Sequence, residues 1–208
     1  MSAELPLSPL LFVGTANAFV GLGEEPGDSL AGPHGALVER FLRDARGRRT
    51  DDARVPWDAA FVHYVGYWSH YDDRCERSAW PLPATASVEE LAQFAATSGT
   101  LREAPLAGDV FLLWCPANKK FVRTGIVIHV QFLFTPSSNR DRVYTCTTIE
   151  GNSDGYSNER GTMTMRTVRN LRPDRGDRFI RWSALDGREE RREEIERELD
   201  RLSRVAAA

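Results

Sequence analysis

The sequence predicts an α+β fold, with helices in the first half of the chain and an antiparallel sheet in the second. Apolar residues recur at the helical period of 3.6 as far as Ala95. From Gly108 onward the pattern changes to short runs rich in β-branched and aromatic residues, separated by turns. The two patterns do not interleave, so repeated βαβ units are not expected. The order implies helices packed on a curled antiparallel sheet of about five strands.

Each element has its own signal. Ser8 and Pro9 make a helix start, after which Leu11, Thr15, Ala18, Phe19 and Leu22 fall on one stripe. The polar turn GEEPGDSLAGP leads to a second helix whose inward face is Leu37, Val38, Phe41, Leu42 and Ala45, with Gly47 as its end. A third helix begins at Pro56 and carries a broad apolar face of Trp57, Phe61, Tyr64, Val65 and Trp68. Ser87 caps a fourth, with Glu90 at the capping-box position and Val88, Leu91, Ala92 and Ala95 facing inward. The strands follow as DVFLLWC, FVRTGIVIHVQFLF, RVYTCTTIEG, GTMTMRTVRN and DRFIRW. From Ser183 the composition changes to eight acids and six arginines, with Ile195, Leu199, Leu202 and Val205 as an apolar seam. Pairs such as Glu193 with Arg197 suit a charged, solvated helix. The expected division is a domain over 1–182 and a helical tail over 183–208.

Composition narrows the function. A length of 208 residues with 41% hydrophobic content suits a protein with a substantial core, and a formal charge of -3 argues against a general nucleic-acid binder. Cys75, Cys115 and Cys146 form no CxxC and no paired framework, so neither a metal site nor a disulfide scaffold is expected, and no cofactor is implied. Reduced thiols fit a cytoplasmic location. The apolar N-terminus lacks the basic start of a signal peptide and carries Glu4, and no segment is long and apolar enough to span a membrane. Export by a signal-independent route stays open.

The segment PWDAAFV, residues 56–62, is the most informative motif. Its Asp58 stands in the first turn of the third helix, where unpaired N–H groups and the positive end of the helix dipole favour a negative charge. A cysteine there would be driven toward thiolate; an aspartate feels the same field but performs no acyl transfer. Four segments taken together resemble the papain-like cell-wall hydrolases of the CHAP and NlpC type, the CHAP amidases of phage-like endolysins above all. GEEPGDSLAGPHGALVERFL resembles their lead-in, PWDAAFV their PWCAAFV nucleophile segment, AGDVFLLW their PGD strand, and RTGIV with TIEGN their HVGIV and TIEGN. The resemblance runs from about residue 10 to about 182 and implies a papain-like fold. In that family a cysteine attacks an amide carbonyl, a histidine on a facing strand acts as base, and a polar residue on the next strand orients the imidazole. Carried over residue by residue, the cysteine position is Asp58, the histidine position is Arg123, and the third group is Glu150, with Asn152 beside it. A charge-assisted hydrogen bond between Asp58 and Arg123, extended to Glu150, is therefore expected. The alternative is that Asp58 merely caps its helix while Arg123 points to solvent.

Other chemistry-bearing residues have plainer readings. If the loop TPSSNRDR closes a hairpin near residues 137 and 138, Arg123 lies opposite Asn152 and His129 opposite Cys146. His129 is then about 20 Å along the strand from Arg123, too far to serve Asp58. A relocated His129–Cys146 dyad is conceivable, but two sheet residues that happen to face each other are the expectation. His63 lies about 500° around the helix from Asp58, so the two do not share a face. His34, His63 and His70 read as surface or packing residues, and Cys115 as core.

The function these residues imply is a catalytically degenerate CHAP-like domain that binds a peptidoglycan-type peptide, a glycopeptide or a protein partner in its former cleft. Trp57, Asp58, Arg123, Glu150, Asn152 and Tyr156 are the candidate cleft residues, with Trp80 and Arg166 as rim candidates. Two alternatives stand beside it: an active peptidoglycan amidohydrolase or peptidase with a non-standard site, and an intracellular regulatory or interaction subunit that makes contact through its charged tail.

Overall fold

The structure, a computed structural model, describes residues 8–23, 36–46, 55–72, 77–78, 80–133, 143–153 and 162–186. Four helices precede the main sheet: α1 (Pro9–Asn17), α2 (Ala36–Arg46), α3 (Asp58–Ser69) and α4 (Val88–Thr97). A two-stranded ribbon, β1 (Tyr71–Asp72) with β2 (Arg77–Ser78), follows α3. The sheet contains β3 (Leu101–Arg102), β4 (Val110–Cys115), β5 (Lys120–Leu133), β6 (Val143–Ser153), β7 (Met163–Leu171) and β8 (Arg178–Ile180), in the order β3-β8-β4-β5-β6-β7. All of its pairings are antiparallel. The five expected strands are present, and the short β3 on β8 makes a sixth. Gly47, His34, Cys75, Tyr156 and the tail beyond residue 186 lie outside the described residues; Trp182–Asp186 form a short 3-10 helix.

Helix α3 is the buried axis of the helical layer. Ten of its residues are buried, because it has α1 and α2 on one side and β5 and β6 on the other. Phe41 of α2 meets Trp57, Phe61 and Tyr64 at ring-centroid distances of 5.9, 5.8 and 4.7 Å. These rings join Ile126, Ile149, Val110 and Leu112 in the main core. Trp68, the last member of the expected apolar face, is 39% exposed and lies under the Arg40 guanidinium, a cation–π contact with 5.5 Å to the centroid. On the opposite face of the sheet a smaller cluster forms around Phe111, Val127, Tyr144, Cys146, Leu171 and Phe179. The two clusters follow from the period of two along each strand.

Helix α1 is rotated from the expected stripe. Its buried residues are Phe12 and Ala16, whereas Leu11 and Leu22 are exposed. The reason is a tertiary one: Phe12 packs on Trp80 in a tilted pair at 4.8 Å and meets Trp182 edge-on at 5.4 Å. The start of α1 is held by Ser8, whose Oγ accepts from Leu11 N–H at 3.3 Å. Ser8 N–H donates to His70 Nε2 at 3.0 Å, and His70 Nδ1 lies 3.0 Å from the Gly66 carbonyl. That arrangement assigns the proton to Nδ1 and makes His70 a packing residue.

The α4 cap differs in one link from the capping box. Ser87 Oγ accepts from Glu90 N–H at 3.2 Å, but the Glu90 carboxylate accepts from Thr85 Oγ1 at 2.5 Å, and Thr85 Oγ1 in turn accepts from Ser87 N–H at 2.9 Å. Thr85 thus relays the reciprocal bond.

Gly151 sets how closely α3 approaches the sheet. A Cβ there would lie 2.7 Å from both Phe61 Cβ and Trp57 Cζ3. Gly151→Ala is therefore expected to push α3 off β6 and to cost about 1–3 kcal/mol, measured by urea unfolding. Unchanged stability would mean that the helix does not seat directly on β6.

Candidate functional site

Asp58 is the first residue of α3, preceded by Trp57 as N-cap with no side-chain cap of its own. Its carboxylate turns toward the sheet. Oδ2 accepts from the backbone N–H of Thr124 in β5 at 3.0 Å, while Oδ1 is buried without a hydrogen-bond partner. The β5–β6 ladder begins at Ile126 opposite Ile149, so at Thr124 the acid stands where a strand carbonyl would otherwise accept. Burial pushes the Asp58 carboxyl up to about 6, opposed first by the positive charge of Arg123 and then by the N–H groups of Thr124, Ala59 and Asp58 itself.

Arg123 lies on β5 next to Thr124, where alternation gives it the same face as Gly125 and Val127. It does not point to solvent. Its Nη1 donates to the Asn152 carbonyl at 2.8 Å and its Nη2 lies 3.6 Å from Glu150 Oε2. Asn152 adopts a left-handed backbone with φ 53, a conformation that asparagine tolerates better than most residues. That turn at the end of β6 presents the carbonyl to the guanidinium. Gly125 clears the way for Glu150: a Cβ there would lie 2.8 Å from Glu150 Cγ.

Glu150 is held most firmly. Arg169 of β7 binds it in a fork, Nε to Oε1 and Nη2 to Oε2, both at 2.6 Å, and Thr148 Oγ1 donates to Oε1 at 2.7 Å. The four groups form a chain of alternating charge, Asp58, Arg123, Glu150 and Arg169. Asp58 and Glu150 are 0% exposed, Asn152 2% and Arg123 3%.

The candidate residues therefore meet, though in a different way from a thiolate facing an imidazole. Arg123 makes its close ion pair with Glu150 and influences Asp58 through its charge, while the hydrogen bonds that hold Asp58 come from the backbone. Trp57 is core, packed on Phe41 and over Gly151. Trp80 is also core, and Tyr156 lies outside the described residues. Arg166 is exposed and donates to Asn17 Oδ1 at 2.6 Å, away from the charged chain. Arg169 and Thr148 went unnoticed in the sequence. Arg169 stands opposite Cys146 in the register, so its side chain must run along the sheet past Thr148 to reach Glu150, and no spacing signals this.

The His129–Cys146 dyad does not exist. The register shifts at Ile128, placing His129 opposite Thr147 and Val130 opposite Cys146. This bulge, invisible to a count from the hairpin loop, corrects the expected pairing. Cys146 is buried and its thiol is pushed up to about 12, first by burial and then by the charge of Asp109. His63 is buried in α3 and held below its usual range by that burial, with Tyr67 6.0 Å away as ring neighbour. Among the described residues no group of three or more His, Cys, Asp or Glu side chains is placed to hold a metal ion.

On the helical side of the sheet the surface opens into a groove of about 720 Å³, lined by Val55 and Pro56 before Asp58, by Lys120, Phe121 and Val122 before Arg123, and by Ser87, Val88, Glu89 and Glu90 at the start of α4; the charged residues Asp58, Arg123, Glu150 and Arg169 do not line it. Its lining includes charges of both signs, Arg46 and Lys120 and Glu89 and Glu90.

The raised Asp58 pKa has a definite sign. The folded state holds this proton more tightly than the unfolded chain, so the contribution is fully present below the model-peptide value of 3.8 and is lost as pH rises through about 6. Asp58→Asn keeps an oxygen for Thr124 N–H and removes the buried charge. It is expected to leave stability at pH 4 nearly unchanged and to raise it by about 1–3 kcal/mol at pH 7.5, read by chemical unfolding at both values. Glu150→Ala removes the carboxylate that holds Arg169 in its fork and lies beside Arg123, and is expected to cost about 3–5 kcal/mol, most of it recovered when Arg169→Met is added to Glu150→Leu. Equal losses in the single and double variants would show that the fork is not what Glu150 contributes.

Among the described residues no helix is long and apolar enough to cross a membrane. In comparisons with known proteins, no family model matches this chain, and no curated protein or solved structure matches it.

Proposed function

We propose that this chain is a catalytically degenerate domain of the papain-like, CHAP type, retained as a binding or interaction module. The observation that carries the reading is the state of Asp58: the acid at the nucleophile position is fully buried and hydrogen-bonded to the β5 backbone. A substrate carbonyl has no approach to it. Its counterpart Arg123 is an obligate cation, unable to take a proton at neutral pH. Acyl transfer needs a nucleophile beside a base and donors aimed at the oxyanion, and this pair supplies neither nucleophile nor base.

Binding then falls to the groove between α4 and the start of β5. Phe121 and Val122 offer apolar contact, while Lys120 and Glu89 offer charges of both signs, a combination suited to a short peptide with ionised ends or side chains, such as a peptidoglycan stem peptide.

Purified protein mixed with cell-wall sacculi is expected to co-sediment with them without releasing soluble fragments, and Lys120→Glu is expected to weaken the binding about tenfold, the loss of roughly one charge-assisted contact. Asp58→Cys is expected to remain inactive, because its thiol would gain a guanidinium neighbour and no proton acceptor. Release of fragments by the wild-type chain, abolished in Asp58→Ala, would establish the active-hydrolase alternative instead.

A further inference from the structure

Strand β7 ends the six-stranded sheet, and among the described residues its outer edge is paired at its start alone. Thr164 donates its N–H to the Leu22 carbonyl at 2.7 Å and accepts from Gly21 N–H at 2.8 Å, with Gly23 bridged to Met163. Because backbone groups alternate along a strand, the outward N–H and C=O groups further on are those of Arg166, Val168 and Asn170. Among the described residues no backbone group bonds to them from outside the sheet.

The devices that normally protect such an edge are missing here. The stretch Arg166–Asn170 contains no proline, and no register shift interrupts its pairing with β6. Its central residue, Val168, is apolar and 67% exposed. The arginines do not stand guard: Arg166 is drawn aside to Asn17, and Arg169 is spent on the buried Glu150.

We propose that this edge is a self-association surface, on which β7 of a second copy of this chain adds antiparallel about a two-fold axis through Val168, joining two six-stranded sheets into one. The register follows from the edge itself. Centring the axis on Val168 places Val168 against its copy, Arg166 against Asn170, and Thr167 against Arg169, so that every outward-facing residue meets an outward-facing one. The three outward pairs exchange about six hydrogen bonds. No arginine meets an arginine, whereas a shift of the axis by half a residue toward Thr167 would oppose Arg166 to Arg169 and leave outward groups facing inward ones. The exposed Val168 is covered in the process. Five residues of strand give a small isologous interface, so the association is weak and concentration-dependent.

Sedimentation velocity on the full chain from about 1 µM to about 500 µM is expected to show a monomer–dimer equilibrium in the micromolar range or weaker. Val168→Lys sets two ammonium groups opposite each other at an exposed position and is expected to remain monomeric throughout, with an unchanged circular dichroism spectrum. A short thiol-reactive crosslinker tests the register, with the wild-type chain as control for Cys75, Cys115 and Cys146. A mixture of Arg166→Cys and Asn170→Cys proteins is expected to crosslink efficiently, while Arg166→Cys alone is not, its two copies being about 14 Å apart along the strands. A wild-type chain that stays monomeric at every concentration, a dimer that survives Val168→Lys, or crosslinks indifferent to the pairing would each overturn the proposal.

Discussion

The buried carboxylate of Glu150 is the constraint around which the sheet and its neighbours are arranged. A charge at zero exposure survives only if its attraction to nearby cations offsets its desolvation. Here Arg169 supplies a two-bond fork and Thr148 a hydroxyl donor, with Arg123 as a second cation just beyond hydrogen-bond distance. Arg123 is then available to stabilise Asp58, which accepts from the β5 backbone and lies in the field of the first-turn N–H groups of α3. Strands β5, β6 and β7 and helix α3 are thus tied together by one alternating run of charge. Loss of Glu150 removes the carboxylate that Arg169 and Arg123 share.

This arrangement gives a physical reason for an acid at the head of α3. The first turn of a helix favours negative charge whether it is a thiolate or a carboxylate. A thiolate needs a neighbour able to exchange a proton, while a carboxylate in the same field needs only a fixed cation. Arginine is that cation, and its planar fork also reaches Glu150 and the Asn152 carbonyl at once. Asp58 and Arg123 are thus complementary, an acid and a fixed cation buried together.

Much of the fold was legible because it rests on local periodicity. Helices α2, α3 and α4 and the five longer strands follow from apolar spacing, and Ser8 and Ser87 act as the caps their positions suggest. What escaped depends on contacts between distant segments. In α1, Leu11 and Phe12 are both apolar, so spacing alone could not choose between them; Trp80 and Trp182 select Phe12. The bulge at Ile128 leaves no composition signal, yet it moves His129 one place relative to Cys146. At the site, Asp58, Arg123, Glu150 and Asn152 were found through motif order, whereas Arg169 reaches Glu150 along the sheet from a position that no motif marks. Burial of the group was equally hidden, since four polar residues in sequence read more naturally as the lining of an open cleft.

The most direct test of a closed, charge-balanced centre is the titration of the Asp58 side-chain carboxyl, followed by its carbon-13 chemical shift with Asp58→Asn used for assignment. A carboxyl sealed from water and opposed by one cation should titrate near 6. A midpoint at or below about 4, the value of a solvated aspartate, would mean that Asp58 stands in open water or in a direct ion pair, and that the centre is not closed.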